Sequence, residues 1–568
     1  MVTPLKLSGD LHLKFCLLLM FAVFAAFGPV ALINQPLWDD WVLRAYSDAG
    51  TLQELYGQVG ARELFWLVKP FASTAPSICT ATELLFYVLL GPLTYTIIRK
   101  ITSWSPTDSF WAALLTALAP LNQARFILST LPYAFSSFFF ALTVVLLLQD
   151  LKKPSTIRRL SISVCLLTAF TTNSFLVVAW LMPLIVAIHT WRSEASLPSY
   201  DRARQALRAI LGRGELLLLP PLYWLAKKLL EPTYGLYADY NKFQMGPLSA
   251  LKETVLALIR QFYDVKMILP SRSDVPELLI AVAVVVAMFV FAAWRWKLPL
   301  ARSDEPARPA SRAIDAVAVA TSLALAICAL FPYVAVGKPP RFHGLWETRH
   351  QTTLLLFSGF LMYAVLRLCL PRFLLSTTAA ALTILFLVLN ISVTHRLLLD
   401  ALETREISGL LNTQPPAPGT MLLVVEQDRN YRALGRFFPF YELSYILNSE
   451  DRAGRVLAIS NQEILDPTTN TYVTGRIPTV DSKLIALCEK YRSAPQYGFG
   501  GFVSNGTVQT VTLLSNREPP RLFDTLGKSI RAAVTATPAP TSPLMVRIER
   551  TPPSPIEGTC RAPCCAGD

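Results

Sequence analysis

Charge is scarce in this chain. Only 16% of its 568 residues are Asp, Glu, Lys or Arg, and 53% are hydrophobic. A soluble globular chain carries about 25% charged residues. The deficit excludes a water-facing surface all round and makes lipid the expected solvent for much of the chain. Histidine is scarce too, with five residues, and the nine cysteines include no CxxC pair of zinc-site spacing. Cys16, Cys79, Cys165, Cys328 and Cys369 lie within or beside apolar runs, where Cys acts as a small hydrophobe. Cys560, Cys564 and Cys565 crowd a Pro-rich tail. There is no internal repeat, and the apolar runs lack the alternation of a transmembrane barrel. The net charge of +13 looks at first like a nucleic-acid signal. Its Lys and Arg residues sit mostly in short loops between apolar runs, which makes them a topology signal, and no nucleic-acid partner is expected.

What is present is a series of apolar runs that must be helices, because lipid leaves no partner for an unsatisfied backbone. The first, 15–33, is too long for a cleaved signal peptide and reads as an anchor. Others follow near 80–98, 109–120, 132–149, 159–171, 175–190, 215–230, 277–295, 314–336, 352–370 and 373–394. The stretch 159–190 is broken by Thr171-Thr172-Asn173-Ser174 and is read as two passes. That split puts every Arg/Lys-rich loop on one side, for about eleven spans in all.

The expected fold is therefore mainly α. A polytopic helical membrane bundle spans 1–395, and a linker covers 396–419 with a short helix over 396–412. A small α/β domain outside the cytoplasm takes 420–535, and a Pro-rich, disordered tail takes 536–568. Strands are expected at 421–425 and 455–459, a helix over 431–447, and a hairpin over 500–514 turning at Asn505-Gly506. The loops 34–79, 231–276 and 337–351 are longer than a connection needs, which marks them as functional.

The first of these loops opens with Trp38-Asp39-Asp40-Trp41 and then Arg44. Trp favours the headgroup level, so the two acids stand at the depth of lipid phosphates. A carboxylate there can take a proton from a hydroxyl or hold a divalent metal against a phosphate. The plainer alternative is a helix start, with Asp39 as N-cap and Asp40 paired to Arg44. Cationic residues that could meet a phosphate are Arg62, on a surface-lying helix with Leu52, Leu55, Tyr56 and Val59, then Arg125, and then Arg341, His343, Arg349 and His350 in the loop before the tenth span. Lys227 and Lys228 read as snorkelling residues. Glu83, early in the second span, is a candidate because acids inside membranes are functional by default.

On the first-loop acids and the helix layout over about 1–395, the chain resembles the C-type glycosyltransferases, and its Trp38-Asp39-Asp40-Trp41…Arg44 is similar to bacterial O-antigen-type glucosyltransferases. Gly60-Ala61-Arg62 is similar to a Gly-Arg that often follows in such loops, here with an Ala inserted. The resemblance implies transfer of a sugar, with inversion, from a polyprenyl-phosphate donor to a glycan, lipid or protein acceptor. It also implies a multi-pass protein of the bacterial inner membrane. Asp39 would be base or metal ligand, which would bring magnesium or manganese, and Asp40 its partner. Arg349, with His350 and with Arg62 or Arg125, would clamp the phosphate. The alternatives are a non-catalytic transporter or flippase of lipid-linked saccharides, and a polysaccharide polymerase or ligase.

Overall fold

The structure, a computed structural model, describes residues 8–102, 104–194, 196–234, 238, 242–300, 310–341, 346–413, 415–426, 436–448, 456–461, 486–488, 504–515, 520–534 and 546–555. Helix α1 (Ser8–Phe27) leads into three short helices, α2 (Asp40–Asp48), α3 (Leu52–Val59) and α4 (Glu63–Ala72). Then come α5 (Pro76–Thr102), α6 (Pro106–Leu118), α7 (Leu131–Asp150), α8 (Thr156–Ala169), α9 (Ser174–Ala179) and α10 (Met182–Ser193). They are followed by α11 (Ser199–Leu211), α12 (Gly214–Leu230), α13 (Pro247–Asp264), α14 (Val275–Arg295), α15 (Ala310–Ala335), α16 (Thr352–Cys369) and α17 (Arg372–Thr413). Beyond them lie strands β1 (Met421–Glu426), β2 (Leu457–Ser460), β3 (Thr507–Ser515), β4 (Val546–Arg550) and β5 (Ser554–Pro555), with helices α18 (Phe440–Asn448) and α19 (Leu522–Val534). The protein is mainly helical, with a few strands near its C-terminus. Among the described residues, 8 helical stretches are long and apolar enough to cross a membrane, from Asp10–Leu32 to Arg372–Leu411.

Side-chain contacts at the helix termini define two ends of the bundle. At one, Arg367 of α16 holds Asp108 of α6 at 2.5 Å and Asp315 of α15 at 2.6 Å. At the same end Arg192 of α10 donates to the Thr102 carbonyl at 2.7 Å, and Arg213 pairs with Asp150. At the other end lie α2, α3 and α4, the start of α7 and the turn before α16. The short helices α6, α8 and α12 also run from end to end. Ser105 caps α6 by accepting the Asp108 N–H at 3.0 Å, Pro106 suits its first turn, and the irregular stretch after it carries Asn122 to Thr352 at 2.8 Å. Helix α6 lies so close to α16 that a Cβ at Gly359 would strike the Thr116 backbone. Helix α8 starts beside Asp150, and Thr172 at its exit bonds Ser136 near the start of α7 at 2.9 Å. Helix α12 starts at Arg213 and ends with Lys227 on Glu63 at 2.7 Å. The stretch 159–190 accordingly doubles back, beginning and ending at the Arg367 end.

Two amphipathic helices sit at opposite ends. Helix α13 turns Ala250, Thr254 and Ala257 inward and leaves Leu248, Ile259 and Tyr263 exposed. At the Arg367 end, α11 buries Ala206 and exposes Tyr200, Leu207 and Leu211 beside its arginines. Each has the form of a helix lying in a membrane interface.

The expected span 373–394 and the expected short helix 396–412 are one continuous 42-residue helix, α17. No proline interrupts it between Pro371 and Pro415, and its Leu, Ala, Glu and Arg residues favour helix throughout. In the sheet, ordered β2-β1-β3-β4, β1 pairs in parallel with β2 and with β3, and β3 pairs antiparallel with β4 and β5. The helix α18 lies in the crossover from β1 to β2 that a parallel pair requires. Asn505-Gly506 makes no hairpin among the described residues. Gly506 turns at φ +77, and Asn505 ties the turn to the Pro418 carbonyl at 3.0 Å, so β3 enters beside β1. The expected helix over 431–447 is seen from Phe440. The hairpin's first part and most of the expected tail lie outside the described residues, but within that tail 546–555 is ordered: it supplies β4 and β5, paired with β3, where the alternation of Val546 and Ile548 with Arg547 and Glu549 suits an edge strand.

Lys153 and Tyr200 are exposed at one end of the bundle, Gln53 and Ala417 at the other. Membrane-impermeant labelling of single cysteines at 153 and 200 should report one side, and at 53 and 417 the opposite side. Opposite sides for 153 and 200 would break the doubled-back path of 159–190.

Candidate functional site

The first-loop acids stand where a strained backbone turns the chain into α2. Trp38 has φ 55, a left-handed conformation that costs an L-residue about 1–2 kcal/mol. Such strain persists only where surroundings enforce it, and it clusters at functional sites. The Trp38 N–H donates to Glu442 at 3.3 Å, and the Arg436 guanidinium lies 5.2 Å from its ring centre. A second left-handed residue, Phe126 at φ 74, lies opposite, in the stretch before α7.

Asp40 is buried and structural in its bonding. Its two oxygens accept the Leu128 and Ser129 N–H groups, each at 3.0 Å. These are orphan donors of the turn that begins α7, so Asp40 caps a neighbouring helix across 88 residues of sequence. Burial raises its carboxyl to about 7, against the pull of those two N–H groups and with a further push from Asp39. The expected Asp40–Arg44 pair does not form, because both oxygens are turned toward α7 and Arg44 is exposed.

Asp39 occupies the N-cap position of α2 but makes no side-chain cap bond. Its backbone is already helical there, at φ −63 and ψ −12, and this turns the carboxylate away from the helix N–H groups. The Tyr441 hydroxyl donates to it at 2.7 Å. Burial lifts its carboxyl above the ordinary value, while the Tyr441 hydrogen bond and the charge of Arg349 pull it down. Arg349, from the turn before α16, is thus brought to Asp39 across more than 300 residues of sequence. Lys338 joins them. Burial, with Arg349 nearby, lowers its ammonium to about 8.

The C-terminal unit completes this arrangement, and the sequence carried no signal for it. Arg436, 1% exposed, forks between Asp400 of α17, at 2.5 and 2.6 Å, and Glu442 of α18, at 2.6 and 3.1 Å. Trp41 packs in one apolar cluster with Leu399, Ile407 and Phe438. Three separated stretches therefore converge on Trp38-Asp39.

Other expected residues are placed differently. Arg125 is buried, with Nε on the Asn122 carbonyl at 2.6 Å, Nη2 on the Ala119 carbonyl at 3.2 Å, and its guanidinium over the Phe27 ring at 4.4 Å. This is an interior strut rather than an outward phosphate clamp, since the aromatic surroundings and main-chain carbonyls enclose it. Glu83 is also fully buried and accepts the Thr130 hydroxyl at 3.2 Å, bracing the same turn that Asp40 caps. Arg62 is exposed and starts α4, its N–H on Glu231 at 3.3 Å. Leu52, Leu55 and Tyr56 of α3 pack inward against Phe65 and Leu131, so that face is covered by protein instead of lying on lipid. Lys227 is held by Glu63, and Lys228 lies over Trp224. His350 is buried against Tyr333, with ring centres 5.0 Å apart. Arg341 is exposed, and His343 lies outside the described residues.

The acid pair does not fit a divalent cation. Both Asp40 oxygens already take backbone N–H groups, one Asp39 oxygen takes Tyr441, and among the described residues no three His, Cys, Asp or Glu side chains form a metal-binding group. A cavity of about 370 Å³ lies at the opposite end, lined by Ile101, Ile188, Trp191 and Phe360, and contains no acid.

The two aspartates should separate in stability. Asp40→Ala orphans two helix-start N–H groups and should cost about 0.5–2 kcal/mol. Asp39→Asn, which removes no cap and keeps an acceptor for the Tyr441 hydroxyl, should cost less. Thermal unfolding in detergent checks this, and an equal loss in Asp39→Asn would mean that the Asp39 charge supports the fold as much as the Asp40 cap does.

Comparison with known proteins leaves the site to be judged on its own geometry: no family matches the chain, and no curated protein matches it in sequence.

Proposed function

We propose that this protein is a membrane glycosyltransferase that moves a sugar from a polyprenyl-phosphate donor to a glycan, lipid or protein acceptor. The observation that carries the reading is that Asp39, with Tyr441 on its carboxylate at 2.7 Å, lies within reach of the Arg349 charge, and Arg349 in turn within reach of Lys338, at one end of an apolar helical bundle. In this reading α6, α8 and α12 join the eight long helices as eleven passages through a bacterial inner membrane, and the Asp39 end faces outward. The sheet unit, from 420 through β5, then stands outside the cytoplasm, and α13 lies in the outer interface.

The chemistry asks for a base and an anion site. The acceptor hydroxyl gives its proton to Asp39 as its oxygen attacks the anomeric carbon. The bond from that carbon to the phosphate oxygen breaks on the opposite face, and the phosphate leaves with the electron pair. Configuration inverts. The leaving phosphate carries growing negative charge, which Arg349 meets with a two-pronged donor and Lys338 with a point charge. Burial of Asp39 favours the role, because a carboxyl above its ordinary value is a stronger base near neutral pH. Arg62, exposed at the same end, and Arg341 are further contacts for the donor's phosphate. No step needs a metal.

Asp39→Asn should lower transfer by roughly 10²-fold or more while donor affinity and stability change little. Arg349→Ala should instead weaken donor binding, by about 2–5 kcal/mol if the pair is buried in the complex. Radiolabelled transfer and donor-binding assays separate the two effects, and near-normal transfer by Asp39→Asn would remove the enzyme assignment.

Lys338 gives the pH dependence. Below pH 8 it is protonated and both cations are present. As pH rises through about 8 the free protein loses that proton, so donor affinity should fall, approaching roughly tenfold per pH unit until the bound form also deprotonates. Lys338→Gln should bind more weakly at pH 7 and show no bend near pH 8. An unchanged bend in that variant would assign the titration elsewhere.

A further inference from the structure

We propose that Tyr441, carried on α18 of the C-terminal unit, is a positioning residue of the outer site: its hydroxyl holds the Asp39 carboxylate in the orientation and charge state that a base requires. The inference rests on Asp39 being that base, and it adds that the site is incomplete without the C-terminal unit.

The argument starts from what α2 fails to do. A carboxylate at a helix N-cap ordinarily spends itself on the N–H of the second or third helical residue. Asp39 does not, and among the described residues its side chain accepts the 2.7 Å hydrogen bond from Tyr441. Among the described residues the groups that act on Asp39 come from three elements: Tyr441 on α18, Arg349 in the turn before α16, and Asp40 on α2 itself. Asp40 opposes a second negative charge and Arg349 is committed to the phosphate in the proposed reaction. Tyr441 is therefore the group left to favour the ionised form of Asp39 during turnover. A phenol suits this position, since it donates to a carboxylate without adding charge beside the leaving phosphate.

The neighbouring residue shows that α18 sets this geometry. Glu442 accepts the Trp38 N–H at 3.3 Å while its carboxylate is fixed by Arg436. The helix thus grips the loop at two successive residues, by Glu442 on Trp38 and by Tyr441 on Asp39. The left-handed turn at Trp38 is what aims Asp39 at Tyr441, and it is maintained from the C-terminal side.

The test uses full-length protein in lipid nanodiscs with Tyr441→Phe. Two readouts are taken: transfer rate at saturating donor from pH 5.5 to 9, and the infrared carboxyl band of Asp39, isolated by subtracting Asp39→Asn. Losing a hydrogen bond to a charged group typically shifts an equilibrium by roughly tenfold or more. Transfer should therefore fall roughly tenfold or more on the acid side and recover to within about twofold at the alkaline plateau. The Asp39 titration midpoint should move to higher pH. An equal loss at every pH, or an unmoved infrared midpoint, overturns the proposal. The infrared titration needs no turnover, so it decides the role of Tyr441 even if no polyprenyl-phosphate sugar is ever transferred. Conversely, a shifted midpoint with normal transfer by Asp39→Asn would sink the glycosyltransferase reading and leave the Tyr441–Asp39 linkage standing.

Discussion

Arg436 occupies a position where one guanidinium joins parts of the chain that otherwise have little reason to meet. Its fork faces Asp400 on α17 and Glu442 on α18, and its flat face covers Trp38. All three charged groups are buried, so each is tolerable only while the others are present. Losing one member of a buried pair typically costs 3–5 kcal/mol, because a bare charge is left behind. Through this contact a helix of the bundle, a helix of the sheet unit and the acidic loop become one solid body. The backbone strain at Trp38, the uncapped turn at Asp39 and the approach of Tyr441 are all tied to it.

The far end of the bundle is built on the same plan. Arg367 lies between Asp108 and Asp315, with the Trp104 ring 5.2 Å from its guanidinium and the Tyr363 hydroxyl on Asp108. At each end a planar cation is shared by two acids from different helices and stacked on a tryptophan. Lys could replace neither, since it lacks both the fork and the flat face.

Much of the helical layout was legible in the sequence because hydropathy reports spans directly, and the Arg/Lys loops reported that 159–190 turns back. The acids of the first loop were legible as a motif. Their division of labour was not. Asp40 spends its oxygens on the main chain of Leu128 and Ser129, and backbone donors leave no mark on the sequence that supplies them. That Asp39 does not cap its own helix depends on two dihedral angles at one residue. Arg125 looked like an outward cation because it precedes a span, but the stretch around it folds inward, where Phe27 and the Ala119 and Asn122 carbonyls take it up. Arg436, Tyr441 and Glu442 were missed for a related reason. Their partners are distant in the chain, and a lone Arg in a soluble stretch reads as surface until its neighbours are known.

The unbroken course of α17 fixes a length as well as a direction. At 1.5 Å per residue, 42 residues make a rod of about 63 Å, roughly twice the hydrocarbon thickness of a bilayer. Asp400 sits on that rod at one height and one azimuth. A single residue inserted between Thr394 and Asp400 would swing the carboxylate by about 100° away from Arg436. Seven inserted residues, close to two full turns, would restore the azimuth but lift the sheet by about 10 Å and pull α18 off the acidic loop. Phase and height cannot both be kept, so this stretch of helix acts as a gauge whose length is set to the residue.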